Sequence, residues 1–70
     1  MNLSTARNYI KSKVGNQYHF VYKGSRNQME EFDGIIINCY PSVFVIMTED
    51  NQIKSFSYND FIIKNLKIIS

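Results

Sequence analysis

The chain has 70 residues, a formal net charge of +2 and 44% hydrophobic residues, including five Tyr and five Phe. A chain of this length predicts one small domain spanning residues 1–70. Folding of such a domain buries only about 60% of the surface that the unfolded chain exposes. One cysteine and one histidine exclude an internal disulfide and a zinc-type Cys/His cluster. We therefore expect neither a metal nor a cofactor.

The sequence also predicts a compartment. Residues 1–14 lack the apolar core of a signal peptide, and the apolar runs are far shorter than the ~20 residues that cross a bilayer. A single unpaired cysteine is typical of a reducing environment. These features predict a cytoplasmic protein with no membrane partner.

The charges are distributed unevenly along the chain. Every charged residue before Glu30 is basic, and every charged residue from Glu30 to Asp50 is acidic. Depending on the strand order, this asymmetry produces either a bipolar surface or an evenly mixed one.

The first predicted element is a short amphipathic helix over residues 3–14. Its apolar residues recur at three- and four-residue spacing, at Leu3, Ala6, Ile10 and Val14. Asn2 or Ser4 can cap the N-terminus through its side-chain oxygen. Gly15 is suited to the left-handed conformation that ends many helices.

Four strands are predicted to follow as a meander. They span residues 17–23, 29–39, 43–48 and 52–57. Pro41 marks the corner between the second and third strands, because proline cannot donate a ladder hydrogen bond. Gly34 inside the second strand predicts a bulge or a sharp bend.

The end of the chain predicts a short helical turn and a closing strand. Ser57-Tyr58-Asn59-Asp60 matches a capping box, in which Ser and the acid satisfy free amides at a helix start. Residues 65–69 then form the last strand. The predicted fold is mainly β: a small five-stranded SH3-type or Sm-like barrel with an N-terminal α-helix. A bent sheet that closes on itself removes its exposed edges.

No group of residues predicts a catalytic site. His19 lies between two aromatic residues, without a Cys or Asp at catalytic spacing, and Cys39 lies in an apolar run typical of a structural cysteine. Glu30 and Glu31 are adjacent in a strand and point to opposite faces. The chain contains no Gly-rich phosphate loop, and we predict that it is not an enzyme.

A basic surface is one candidate for binding. Phosphate contacts are predicted at Arg7, Lys11, Lys23 and Arg26. Tyr18, Tyr22 and Tyr40 could act as stacking platforms for bases.

An apolar surface is the other candidate. Ile35, Ile36 and Ile37 are consecutive, so at least one of them should point away from the interior, although the sequence does not show which. An outward isoleucine near a tyrosine suggests a protein interface. The candidate interface residues are Ile35, Ile37 and Tyr40, and the partner is either a second copy or a regulatory protein.

Three features along the chain form a recognisable pattern. They are Gly34, the run Tyr40-Pro41-Ser42-Val43-Phe44-Val45-Ile46, and the run Ser55-Phe56-Ser57-Tyr58-Asn59-Asp60-Phe61-Ile62. The pattern resembles the Veg family of small bacterial proteins, and the resemblance covers nearly the whole chain. Two departures are the loop at residues 24–28, which keeps only Arg26 of the family's basic loop, and Phe56, which replaces a Tyr.

The resemblance implies an SH3-type β-barrel with an N-terminal helix and a non-catalytic role in regulating transcription and biofilm formation. The favoured hypothesis is an adaptor that binds another protein, such as a transcription regulator. The alternative is a nucleic-acid-binding small barrel that contacts phosphates through its basic N-terminal half.

Overall fold

The computed structural model describes residues 1–24 and 28–69. Its elements are α1 Leu3–Ser12, β1 Gln17–Lys23, β2 Met29–Cys39, β3 Val43–Thr48, β4 Ile53–Ser57, α2 Tyr58–Ile62 and β5 Leu66–Ile69. The predicted fold class is confirmed: the described residues form five antiparallel strands in one sheet, an N-terminal helix and a short helix before the last strand. No helix among them is long and apolar enough to cross a membrane.

The sheet is organised around the long strand β2. The strand order is β4-β3-β2-β1-β5, so β2 is central. Its first half pairs with β1 and its second half with β3, while Gly34 and Ile35 pair with both. The terminal strands β4 and β5 share no ladder in the described part of the chain, so the sheet is open between them; α2 contacts both.

Gly34 lies where β2 passes close to β3. A Cβ atom added there would lie 2.7 Å from Ile46 Cγ2 and 2.8 Å from the Met47 carbonyl oxygen. Gly34 remains in register with Thr48, and the register shift occurs between Ile36 and Asn38. The bulged residue is therefore Ile37, and the glycine is required by a close backbone approach and not by a bulge.

The core lies on the inner face of the sheet, beneath α1. Its buried hydrophobic residues are Ala6, Ile10, Phe20, Ile36, Phe44, Ile46, Phe56, Tyr58 and Leu66. Asn2 caps α1 by accepting a 2.8 Å hydrogen bond from the Thr5 amide, and Gly15 has a φ of +89°. Leu3 and Val14, at the two ends of the predicted apolar stripe, are exposed: Leu3 is the first residue of α1, and Val14 lies beyond its end at Ser12.

Candidate functional site

A continuous apolar surface follows the outer face of β3. Because side chains alternate along a strand, Val43, Val45 and Met47 point away from the core that their neighbours Phe44 and Ile46 fill. The register places Met47 directly between a residue of β2 and a residue of β4. We define the outer apolar stripe as Ile35, Val43, Val45, Met47 and Ile53.

One end of the stripe is a row of large exposed side chains. Ile35, Met47 and Ile53 are paired across three neighbouring strands and are 38%, 38% and 57% exposed. A cavity of about 510 Å³ opens beside this row, with Gln17 and Glu49 among its lining residues. Exposed apolar groups that adjoin one another in this way are typical of protein interaction sites.

The structure shows where each predicted interface residue lies. Ile35 is exposed in the row, Ile36 is fully buried, and Ile37 is half-buried at the bulge. Tyr40 is 50% exposed at the opposite end of the stripe, where its amide donates a 2.8 Å hydrogen bond to the Val43 carbonyl. Of the predicted trio, Ile35 therefore belongs to the stripe, Tyr40 lies at its other end and Ile37 lies at the bulge.

The sequence reasoning missed the members of the stripe on β3 and β4. Val43, Val45 and Met47 recur at two-residue spacing, and this signal was available in the sequence. The pairing of Ile53 with Met47 was not available, because it depends on the register between β3 and β4.

An acidic group lies on the same outer face, next to the stripe. The two ring nitrogens of His19 lie 2.9 Å from Asp33 Oδ1 and 3.0 Å from Glu31 Oε1. The hydrogen bonds with Glu31 and then Asp33 raise the pKa of His19 above its ordinary value of 6.5. Both nitrogens can donate only in the imidazolium form, so this geometry favours the protonated ring.

Stability is expected to depend on pH through His19. Because its pKa is raised in the folded state, its pairing with Glu31 and Asp33 stabilises the fold fully below pH 6.5 and is lost as the pH rises through the folded pKa. His19 is the only histidine, so proton NMR of one imidazole gives the folded pKa directly. In parallel, urea unfolding should show that the free energy of unfolding of the wild type falls over this pH range. The free energy of unfolding of a His19→Gln variant should not show this fall. A folded pKa at or below 6.5 would contradict the expectation.

The inner face contains a second polar pair. Cys39 is half-buried and hydrogen-bonds with the buried Tyr58. Burial, followed by this hydrogen bond, raises the pKa of Tyr58 to about 12. Tyr58 therefore keeps its proton in its packed position, which suits a structural role.

The predicted phosphate-binding residues lie on different elements: Arg7 and Lys11 are four residues apart on α1, and Lys23 lies in β1. Arg7 Nε donates a 2.7 Å hydrogen bond to the Pro41 carbonyl, Lys11 is exposed at the end of α1, and Arg26 lies outside the described residues. Lys23 ends β1, five residues after Tyr18, which is a distance of about 17 Å along a strand.

The three tyrosines that are predicted to stack on bases differ in their exposure. Tyr18 and Tyr22 are half-buried and pack against the core, and Lys13 Nζ lies 5.1 Å from the Tyr18 ring centre. Tyr40 is the exposed member. Within residues 1–24 and 28–69, no three His, Cys, Asp or Glu side chains are arranged to hold a metal ion.

A comparison with protein families decides the relationship. The model of the family described as biofilm formation stimulator VEG matches residues 1–69. The chain belongs to the Veg family. This confirms the resemblance that the Tyr-Pro-Ser-Val-Phe run predicted, and the family description supports a role in biofilm formation. Comparison with curated proteins gives no match.

The Veg motif has two structural halves. In Tyr40-Pro41-Ser42-Val43-Phe44-Val45-Ile46, the side chains of Phe44 and Ile46 are fully buried. Those of Val43 and Val45 lie in the outer apolar stripe, with Tyr40 beside them. The same Veg segment therefore builds the core and presents the candidate surface.

Proposed function

We propose that the protein is a non-catalytic regulator of biofilm formation that acts by binding another protein, a transcription regulator. The observation that carries this proposal is the exposed row of Ile35, Met47 and Ile53 on the outer apolar stripe. Membership of the Veg family supports the regulatory part of the proposal.

The charges beside the stripe favour a protein partner over a nucleic acid. Glu31 and Asp33 lie on the same face as Ile35, and Glu49 accepts a hydrogen bond from Gln17 beside the cavity. Carboxylates repel phosphates and attract a partner surface with basic residues at its rim. Proteins that bind DNA carry such basic surfaces, which supports a transcription regulator as the partner.

The substitution Ile35→Asp is expected to abolish capture of this partner. It places a carboxylate within an apolar contact, and an unpaired charge at an interface costs at least about tenfold in affinity. The purified protein is used for affinity capture, and the recovered protein is identified by mass spectrometry. The dissociation constant of the recovered protein is then measured for the wild type and the variant. Biofilm mass should fall in cells in which the variant replaces the wild type.

The matched control is Leu3→Asp. Leu3 is also exposed and apolar, but it begins α1, where a carboxylate interacts favourably with the helix dipole. This variant should retain partner binding. Wild-type binding by both Ile35→Asp and Ile37→Asp would overturn the proposal. Salt-sensitive binding of DNA or RNA that survives in Ile35→Asp would instead favour the nucleic-acid alternative.

A further inference from the structure

A second apolar surface lies at the other edge of the sheet, in a groove of about 400 Å³ between α2 and β5. Its apolar lining comes from α2, from β5 and from the first residue of the chain: Phe61 and Ile62, Leu66, Ile68 and Ile69, and Met1. The groove is separate from the outer apolar stripe, because none of the stripe residues lines it.

The backbone of β5 offers hydrogen bonds along this groove. β5 pairs with β1 through its full length, from Leu66 opposite Tyr22 to Ile69 opposite His19. It is the terminal strand, and in the described chain no strand pairs with its other edge. In an antiparallel pair, alternate residues direct their N–H and C=O groups away from the partner. The groove thus combines apolar side chains with a free strand edge.

The charge at the groove is positive. Lys64 and Lys67 line it, and no carboxylate side chain among the described residues does. The ion pairs among the described residues involve His19 and Lys54, so neither groove lysine is neutralised by one of them. An acidic occupant therefore complements the site.

We propose that the α2–β5 groove binds an extended, acidic peptide segment of a partner protein, which adds to β5 as a further strand. Alternate apolar side chains of the segment pack against Phe61, Ile62 and Ile68, and its flanking Asp or Glu residues pair with Lys64 and Lys67. A peptide fits better than a fatty acid, because an acyl chain leaves the strand edge unpaired. The inference rests on the proposed role as a protein-binding regulator and adds a second surface to it.

Fluorescence anisotropy with short labelled peptides tests this inference. The first peptide is Asp-Glu-Val-Thr-Ile-Thr-Val-Glu-Asp, and the second has Lys at all four acidic positions. A third carries N-methyl groups on the backbone nitrogens of its two Thr residues. We expect the first peptide to bind about tenfold more tightly than either of the others. NMR should show shifts of the β5 amides on binding.

A matched pair of double variants separates the groove lysines from general charge attraction. Lys64→Gln with Lys67→Gln lowers the formal net charge from +2 to 0, and Asn8→Glu with Gln52→Glu makes the same change at exposed residues outside the groove. The lysine variant should bind the acidic peptide about tenfold more weakly. The control variant should bind it within about twofold of the wild type.

Several outcomes would overturn the inference. They are no binding of the acidic peptide, equal binding of the acidic and basic peptides, and equal weakening by both double variants. Displacement of the peptide by dodecanoate, together with unchanged binding of the N-methylated peptide, would assign the groove to an acyl chain. Peptide binding should be unaffected by Ile35→Asp. If the peptides fail while partner capture still depends on Ile35, the groove inference falls and the proposed function stands.

Discussion

Replacing Gly34 by alanine is expected to lower the free energy of unfolding by about 3 kcal/mol, the upper end of the usual cost of overpacking. The added Cβ would lie 2.7 Å from Ile46 Cγ2 and 2.8 Å from the Met47 carbonyl oxygen. Ile46 is fully buried, so its methyl group has little room to move. The Met47 carbonyl belongs to the backbone of β3, so relief of the clash requires β2 and β3 to separate.

The other two glycines of the chain are matched controls for this effect. A Cβ at Gly24 would meet its nearest atom at 3.6 Å, an ordinary contact, so Gly24→Ala should be nearly neutral. Gly15 has open space but a φ of +89°, so Gly15→Ala should cost about 1–2 kcal/mol through the left-handed conformation alone.

Urea unfolding of the three alanine variants measures this ranking. A domain of this size has a total stability of about 3–5 kcal/mol, so Gly34→Ala should be largely unfolded while the controls remain folded. A free energy of unfolding for Gly34→Ala within about 1 kcal/mol of the Gly24→Ala value would show that β2 and β3 can move apart at low cost.

Much of the fold could be predicted because its signals are local. The alternation of aromatic residues gives β1, and Pro41 fixes the corner before β3. The capping box at Ser57 gives α2, where the Ser57 hydroxyl accepts a hydrogen bond from the Asp60 amide. The predicted bounds differ from the observed ones by one or two residues, at the ends of α1, β4 and β5.

The candidate site could be predicted only in part, because it depends on register. The sequence indicates that one of three consecutive isoleucines points outward, but a shift of one residue exchanges the two faces of a strand. The bulge at Ile37 is what allows Ile36 and Cys39 to lie on the inner side. No local signal marks Ile37 as the bulged residue, because it lies within an apolar run.

The surface charge, like the candidate site, could be predicted only in part from the sequence. The sequence separates a basic N-terminal part from an acidic middle part, yet folding places His19 between Glu31 and Asp33 on the adjacent strand. The positive groove instead comes from Lys64 and Lys67, near the end of the chain. The resulting surface has an acidic region beside the stripe and a basic region at β5. The order of the charged residues along the chain does not predict where either region lies.

Replacing Phe44 by alanine is expected to be the most destabilising substitution in the Veg motif. Phe44 is fully buried, and its ring lies 5.3 Å from that of Tyr58 and 6.2 Å from that of Phe56. Removing a buried Phe ring costs about 3–5 kcal/mol, because the cavity that remains closes only partly. This is comparable with the whole stability of so small a domain, so Phe44→Ala should be unfolded at 25 °C.

Tyr40→Ala is the matched control within the same motif, because Tyr40 is half exposed and its hydrogen bond to Val43 is made by the backbone amide, which the substitution keeps. Its free energy of unfolding should stay within about 0.5 kcal/mol of the wild type. Partner binding should weaken nevertheless, since Tyr40 lies at one end of the stripe.

Circular dichroism and affinity capture on both variants therefore separate the two halves of the motif. A folded Phe44→Ala protein, or an unfolded Tyr40→Ala protein, would show that these two residues are wrongly assigned to the core and to the surface. If both results are as expected, the Tyr-Pro-Ser-Val-Phe run has two physical roles: Phe44 maintains the sheet, and the residues on either side of it form the surface that the sheet presents.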